Sequence, residues 1–206
     1  MNDPLTSHIE AVRNAPGAAT ELRERLSQLP GITTQAQLEQ CEQAVNSAID
    51  AIPFIIRQMA AAGQQSGIGH LLAPILQQVT GYFLGHDDLI PDSRGNLGLL
   101  DDAYLAHLYL QEINRAYMAG TGSLLLQIDC SGTIAVLRAI LGPQITGQLD
   151  QAVVQGVSQA IQGSEYQQLI NQNQPLSPTG GPGAWGGSWE DEMSRVGAEC
   201  GISINW

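Results

Sequence analysis

The 206-residue chain carries eight arginines, no lysine and twenty acidic residues, giving a formal net charge of −12 and a pI near 4.4. That balance repels phosphate backbones, so nucleic acid is excluded as a partner class, and the missing lysine excludes Schiff-base catalysis and a P-loop lysine. Hydrophobic residues make up 43 % and aromatic ones only 5 %, which predicts one sizeable domain with a core of Leu, Ile, Val and Ala, a composition suited to packed helices.

Residues 5–29 read as one or two short helices, broken at "NAPG" by Pro16 and Gly17. "LPGITTQAQLEQ" then opens a new helix: Thr33 or Thr34 can cap it, and Gln37, three residues after Thr34, completes a capping box. From Leu38 the apolar positions recur at Cys41, Val45, Ile49, Ile52, Ile56 and Met59, steps of three and four that define an amphipathic helix. Pro53 lies inside it and predicts a kink or a break. After "AAGQQSGIG" a second helix presents Leu71, Leu72, Ile75, Leu76, Val79 and Phe83 on one face and ends at Gly85.

A third helix runs from about Leu99 to Met118 and stops at "AGTGS". "LLLQI" at 124–128 is a strand or a buried helical turn; periodicity does not separate the two. Helices from Gly132 to Leu141 and from about Gln144 to Gln162 follow. The fold expectation is therefore all-α: one bundle-like domain over residues 1–172, followed by a Gly/Pro-rich arm, 173–206, that ends in a short helix starting near Ser188. All three tryptophans, Trp185, Trp189 and Trp206, fall on this arm, where large amphipathic rings serve as anchors to a partner or to the protein's own body.

Chemistry concentrates between the second and third helices, in "HDDLIPDSRGNLGLLDDAYL" at 86–105. Pro91 disfavours helix at Ile90, Asp92 suits an Asx-turn, and Asp101 and Asp102 stand in the first turn of the next helix, where the dipole favours negative charge by roughly 0.3–1 kcal/mol each. The same residues offer a divalent-cation site. Asp88, Asp92, Asp101 and Asp102 are hard oxygen donors for Mg²⁺, Mn²⁺ or Ca²⁺, and His86 and His107 can add nitrogen. The EF-hand register fails, and no helix face carries the histidine and carboxylate spacing of a di-iron site.

This pattern, "DLIPD" joining two helices and "GLLDD" opening the second, resembles the YkvA-like family of small helical domains of unknown function. Asp88, Leu89, Ile90, Pro91 and Asp92 match its first half and Gly98, Leu99, Leu100, Asp101 and Asp102 its second. The resemblance spans residues about 71–115, with "SRGN" in place of a more apolar turn. It implies a fold and no activity.

Cys41, Cys130 and Cys200 are odd in number and far apart, as expected of reduced thiols in a cytoplasmic protein. "MNDPLTSHIEAV" lacks the basic and apolar regions of a secretory signal, and no apolar run reaches the length of a membrane span. Cys130 can sit at a helix N-terminus, where a thiol turns nucleophilic, but the Cys-x5-Arg phosphate loop is absent. His8 and His70 have no partner that spacing identifies. The resulting expectation is a non-catalytic, acidic, cytoplasmic interaction or regulatory protein that binds a protein partner or itself through its helical body and arm. Its rivals are a metal-dependent hydrolase built on connector 87–102 and a membrane-peripheral protein held by the helices around 54–84, which the charge opposes.

Overall fold

The computed structural model describes residues 3–85, 88–161, 163, 165–168, 195 and 198. Along them run α1 (Pro4–Arg13), α2 (Thr20–Ser27), α3 (Gln35–Gln65), α4 (Gly69–Phe83), α5 (Leu99–Thr121), α6 (Ser131–Leu141) and α7 (Pro143–Ile161), with a short 3₁₀ segment, Asp92–Leu97, between α4 and α5. No strand occurs among the described residues, and the chain is an all-α domain. The tryptophan arm lies outside them: of 173–206 only Arg195 and Ala198 are described, both helical and exposed.

Local chemistry sets most boundaries. Asp3 caps α1 by accepting the Leu5 N–H at 3.0 Å and also meets Arg57 of α3 at 2.6 Å. Gly17, at φ 81°, turns the chain into α2. The capping box of α3 is formed: Thr34 Oγ1 accepts the Gln37 N–H at 3.2 Å, and Gln37 Oε1 accepts the Thr34 N–H at 3.0 Å. α3 does not break at Pro53. The helix runs through it, because Ile49, Ile52 and Ile55 are fully buried around the proline and packing outweighs the one lost backbone bond. α4 likewise contains Pro74.

The core is organised around α5, which packs against α3, α4, α6 and α7. Every residue from Leu99 to Leu110 is buried, the mark of a helix enclosed on all sides. Burial of each large apolar side chain here contributes roughly 1.5–3 kcal/mol. A polar junction fixes the neighbours: Tyr104 of α5 donates to Asp150 of α7 at 2.5 Å, and Arg138 of α6 donates to both, reaching Asp150 at 2.9 Å.

Residues 124–128 are neither strand nor helical turn. They form an irregular segment with Leu125 and Leu126 buried, held by one side chain of α5. Asn114 accepts the Leu126 N–H and donates to the Leu126 carbonyl, both at 2.9 Å, so a side-chain amide takes the place of a neighbouring strand. Among the described residues no helix is long and apolar enough to cross a membrane.

Candidate functional site

Two regions stand out, and they meet at Tyr82 and Leu89. The first is the acidic connector. Tyr82, near the end of α4, accepts the Leu89 N–H at 3.1 Å and donates to Asp101 Oδ2 at 2.9 Å; the same oxygen accepts the Ile90 N–H at 3.1 Å. Asp101 is therefore the hub that folds the "DLIPD" strand of chain back over the start of α5. Two glycines permit the closure. Gly95, at φ 63°, lies so close to Ala18 that a Cβ would overlap its backbone, and Asn96 N donates to Ala18 O at 3.0 Å; a Cβ on Gly98 would stand 2.7 Å from Pro91 O.

Asp101 and Asp102 stand in the first turn of α5, where the sequence puts them, and they are buried there. Their exposures are 0 % and 1 %. Neither carboxyl oxygen of Asp102 meets a protein hydrogen-bond donor, and neither does Oδ1 of Asp101 or of Asp92. Burial, with Asp101, Asp88 and Asp92 adding repulsion, pushes the Asp102 carboxyl up to about 9; burial, opposed by the Ile90 and Tyr82 hydrogen bonds, pushes Asp101 up to about 6. At neutral pH Asp102 thus holds a proton. Asp92 does not form the expected Asx-turn: its Oδ2 lies 3.0 Å from His8 Nε2 of α1. The His8 ring stands edge-on to Phe83.

As candidate ligands, Asp88, Asp92 and Asp101 all lie within electrostatic reach of Asp102. Yet among the described residues no three His, Cys, Asp or Glu side chains are grouped so as to hold a metal ion. His107 is turned to α3: its Nε2 lies 3.1 Å from Ala48 O, and complete burial holds it neutral, down to about 4. His86 and Asp87 lie outside the described residues, as do Trp185, Trp189, Trp206 and Cys200. Cys130 is the N-cap of α6 and is buried.

The second region was not signalled by any motif. α4 and α7 leave a groove between them with two recesses that meet at Gln78. One, of about 450 Å³, is lined by Leu71, Pro74, Ile75, Gly156 and Ala160; the other, of about 240 Å³, by Tyr82, Leu89, Leu105, Leu149 and Ala152. Leu89 is 41 % exposed at its edge. The rim is glutamine, Gln78, Gln148 and Gln159, and at one end His70 Nε2 pairs with Glu165 at 3.1 Å, supplying the partner that spacing did not reveal. Gly156 lets α7 lie close on α5, since a Cβ there would stand 2.8 Å from the Tyr109 hydroxyl. The signal that was available is an absence of charge: residues 58–85 of this acidic chain contain no ionisable side chain except His70 and Tyr82, and 151–164 contain none. No family model matches the chain, and no curated protein or solved structure gives a significant match.

Proposed function

We propose that this is a non-catalytic interaction module of the cytoplasm whose working surface is the groove between α4 and α7. One observation carries the reading: two solvent-open recesses that meet at Gln78, one of them mainly apolar, rimmed by Gln78, Gln148 and Gln159 with His70 and Glu165 at one end, on a protein with a net charge of −12. Charged residues are depleted at the centres of protein-binding patches, and contiguous exposed apolar grooves mark such patches. The fitting ligand is an apolar, uncharged segment of a protein that lays one or two large side chains into the recesses. The test uses a full-length Trp185→Ser, Trp189→Ser chain, which removes two large apolar rings of the chain's own, and the neutral apolar dye Nile red. Dye bound by that chain and lost on adding Ala152→Glu supports the groove; dye binding indifferent to Ala152→Glu sinks it. The YkvA-like resemblance of residues 71–115 stands beside this proposal, supported by its motif spacing, and adds no activity to it.

A second reading has one observation in its favour. A Mg²⁺, Mn²⁺ or Ca²⁺ ion at Asp88, Asp92, Asp101 and Asp102, serving a hydrolase, would neutralise the two Asp102 oxygens that meet no donor. An ion bound only by the folded chain at about 100 times its Kd adds roughly 2.7 kcal/mol of stability. Thermal unfolding in EDTA and then in each ion should show that shift, and Asp102→Asn should remove it. No shift with any ion rejects the site.

A further inference from the structure

We propose that the larger recess between α4 and α7 binds a primary alkylammonium group, its charged head against His70 and Glu165 and its apolar body along Leu71, Pro74 and Ile75. The inference goes beyond the docking surface, whose apolar segment is served by the smaller recess around Leu105 and Leu149.

The recess joins two kinds of chemistry. Leu71, Pro74 and Ile75 of α4 and Ala160 of α7 make an apolar wall, and Gln78 and Gln159 supply amides. At one end His70 Nε2 lies 3.1 Å from Glu165 Oε1, with both side chains open to solvent. A carboxylate has acceptors only, so the ring nitrogen that faces it carries the proton, and in the neutral imidazole Nδ1 is left as an acceptor. Glu165 has a second oxygen to offer.

Pro74 adds a third acceptor. It stands inside α4, four residues after His70, and has no N–H to give the His70 carbonyl. The helix loses one hydrogen bond there. What it leaves is a main-chain oxygen at the wall of the recess, since His70 and Pro74 both line it.

Three acceptors at an anionic end, beside an apolar wall, call for three donors, a positive charge and a hydrocarbon body. A primary ammonium supplies that head. The field of a chain with a net charge of −12 repels anions and concentrates cations at the surface. A quaternary ammonium carries the charge without donors, and no Phe, Tyr or Trp is among the described residues lining the recess to hold one by its ring face. The chain contains no lysine, so neither its own side chains nor a second copy's can supply the head. At about 450 Å³ the recess has the size of a small-ligand site.

The full chain is titrated with hexylammonium, hexanol and trimethylhexylammonium, followed by NMR. Hexylammonium should bind, with the other two at least about fivefold weaker, and Glu165→Gln should weaken hexylammonium to the same degree. No binding of hexylammonium, or equal binding of the trimethyl analogue, overturns the proposal. Glu10→Gln makes the same change of net charge at an exposed position of α1 and should leave binding as it is. Equal weakening by both variants reduces the effect to overall charge and overturns the site. Pro74→Ala returns an N–H to the His70 carbonyl, so it should raise the unfolding temperature yet weaken hexylammonium more than the trimethyl analogue. An equal effect on the two ligands overturns the role of the carbonyl and with it the three-acceptor head site. Nα-acetyl-lysine methylamide separates the sources: binding at least as tight as hexylammonium upholds the site as a receptor for a foreign protein's lysine, and weaker binding upholds it for a free amine. Failure at this recess leaves the smaller one and its Nile red test untouched.

Discussion

The connector and the groove meet at the same helix and invert the same rule. At the connector, carboxyl groups are buried with few partners; at the groove, recesses lined by Ile75, Leu105 and Leu149 open to solvent, with glutamines along the rim and His70 and Glu165 at one end. A chain under selection for stability alone does neither, since an uncompensated buried carboxyl and an open apolar groove both cost free energy. The two departures differ in how they are held. The connector is over-determined by Asp101, Tyr82, Gly95 and His8, so a change there should be felt throughout the fold. The groove is a gap between two helices already fixed by α5, so a change there should be felt only by whatever enters it.

That contrast can be broken in order of expected effect. Gly95→Ala forces a Cβ into the Ala18 backbone at a dihedral that non-glycine residues rarely adopt, and it should destabilise by about 4 kcal/mol or more, read by urea unfolding. A loss below about 1 kcal/mol would mean that the connector is not locked to the α1–α2 turn.

Asp102→Asn comes next, and its sign depends on pH. The folded chain holds the Asp102 proton up to about 9, against an ordinary value of 3.8, so between those limits the unfolded chain binds fewer protons and stability falls as pH rises. Asp101, raised to about 6, adds the same slope over its narrower window. Asparagine removes the Asp102 contribution: relative to wild type, the variant should gain up to about 5 kcal/mol between about pH 4 and pH 8 in EDTA. A difference that stays flat across that range would show that Asp102 is charged and neutralised by another group.

At the groove, Gln78→Glu should leave stability within about 0.5 kcal/mol while weakening Nile red binding by the full-length Trp185→Ser, Trp189→Ser chain. A large loss of stability would make the groove part of the fold's support, erasing the contrast. The smallest effect belongs to His70→Ala. The His70–Glu165 pair is more than half exposed at both ends, so unfolding should move by less than about 1 kcal/mol.

Helix positions were legible because their signals are local. Thr34 and Gln37 announce a capping box, Gly122 and Gly142 end α5 and α6, and the spacing from Cys41 to Met59 traces the buried face of α3. What failed was decided by distant packing. The break offered as one alternative at Pro53 does not occur, because buried neighbours hold the helix around it, and "LLLQI" takes its shape from Asn114 rather than from its own residues. The acidic residues were found, but their burial depends on α1 and the Ala18 turn closing over them from far earlier in the chain. The groove joins α4 to α7 across most of a domain's length, and its trace in the sequence, a lack of charge, is no motif.

The Asn114 clamp has a consequence for how the molecule breathes. The Leu126 amide belongs to no helix, yet its proton is held by a side chain rooted in the buried centre of α5. In heavy water it should exchange with the slow amides of that helix and not with the loop around it, which makes one loop proton a clock for the opening of the protein's innermost element.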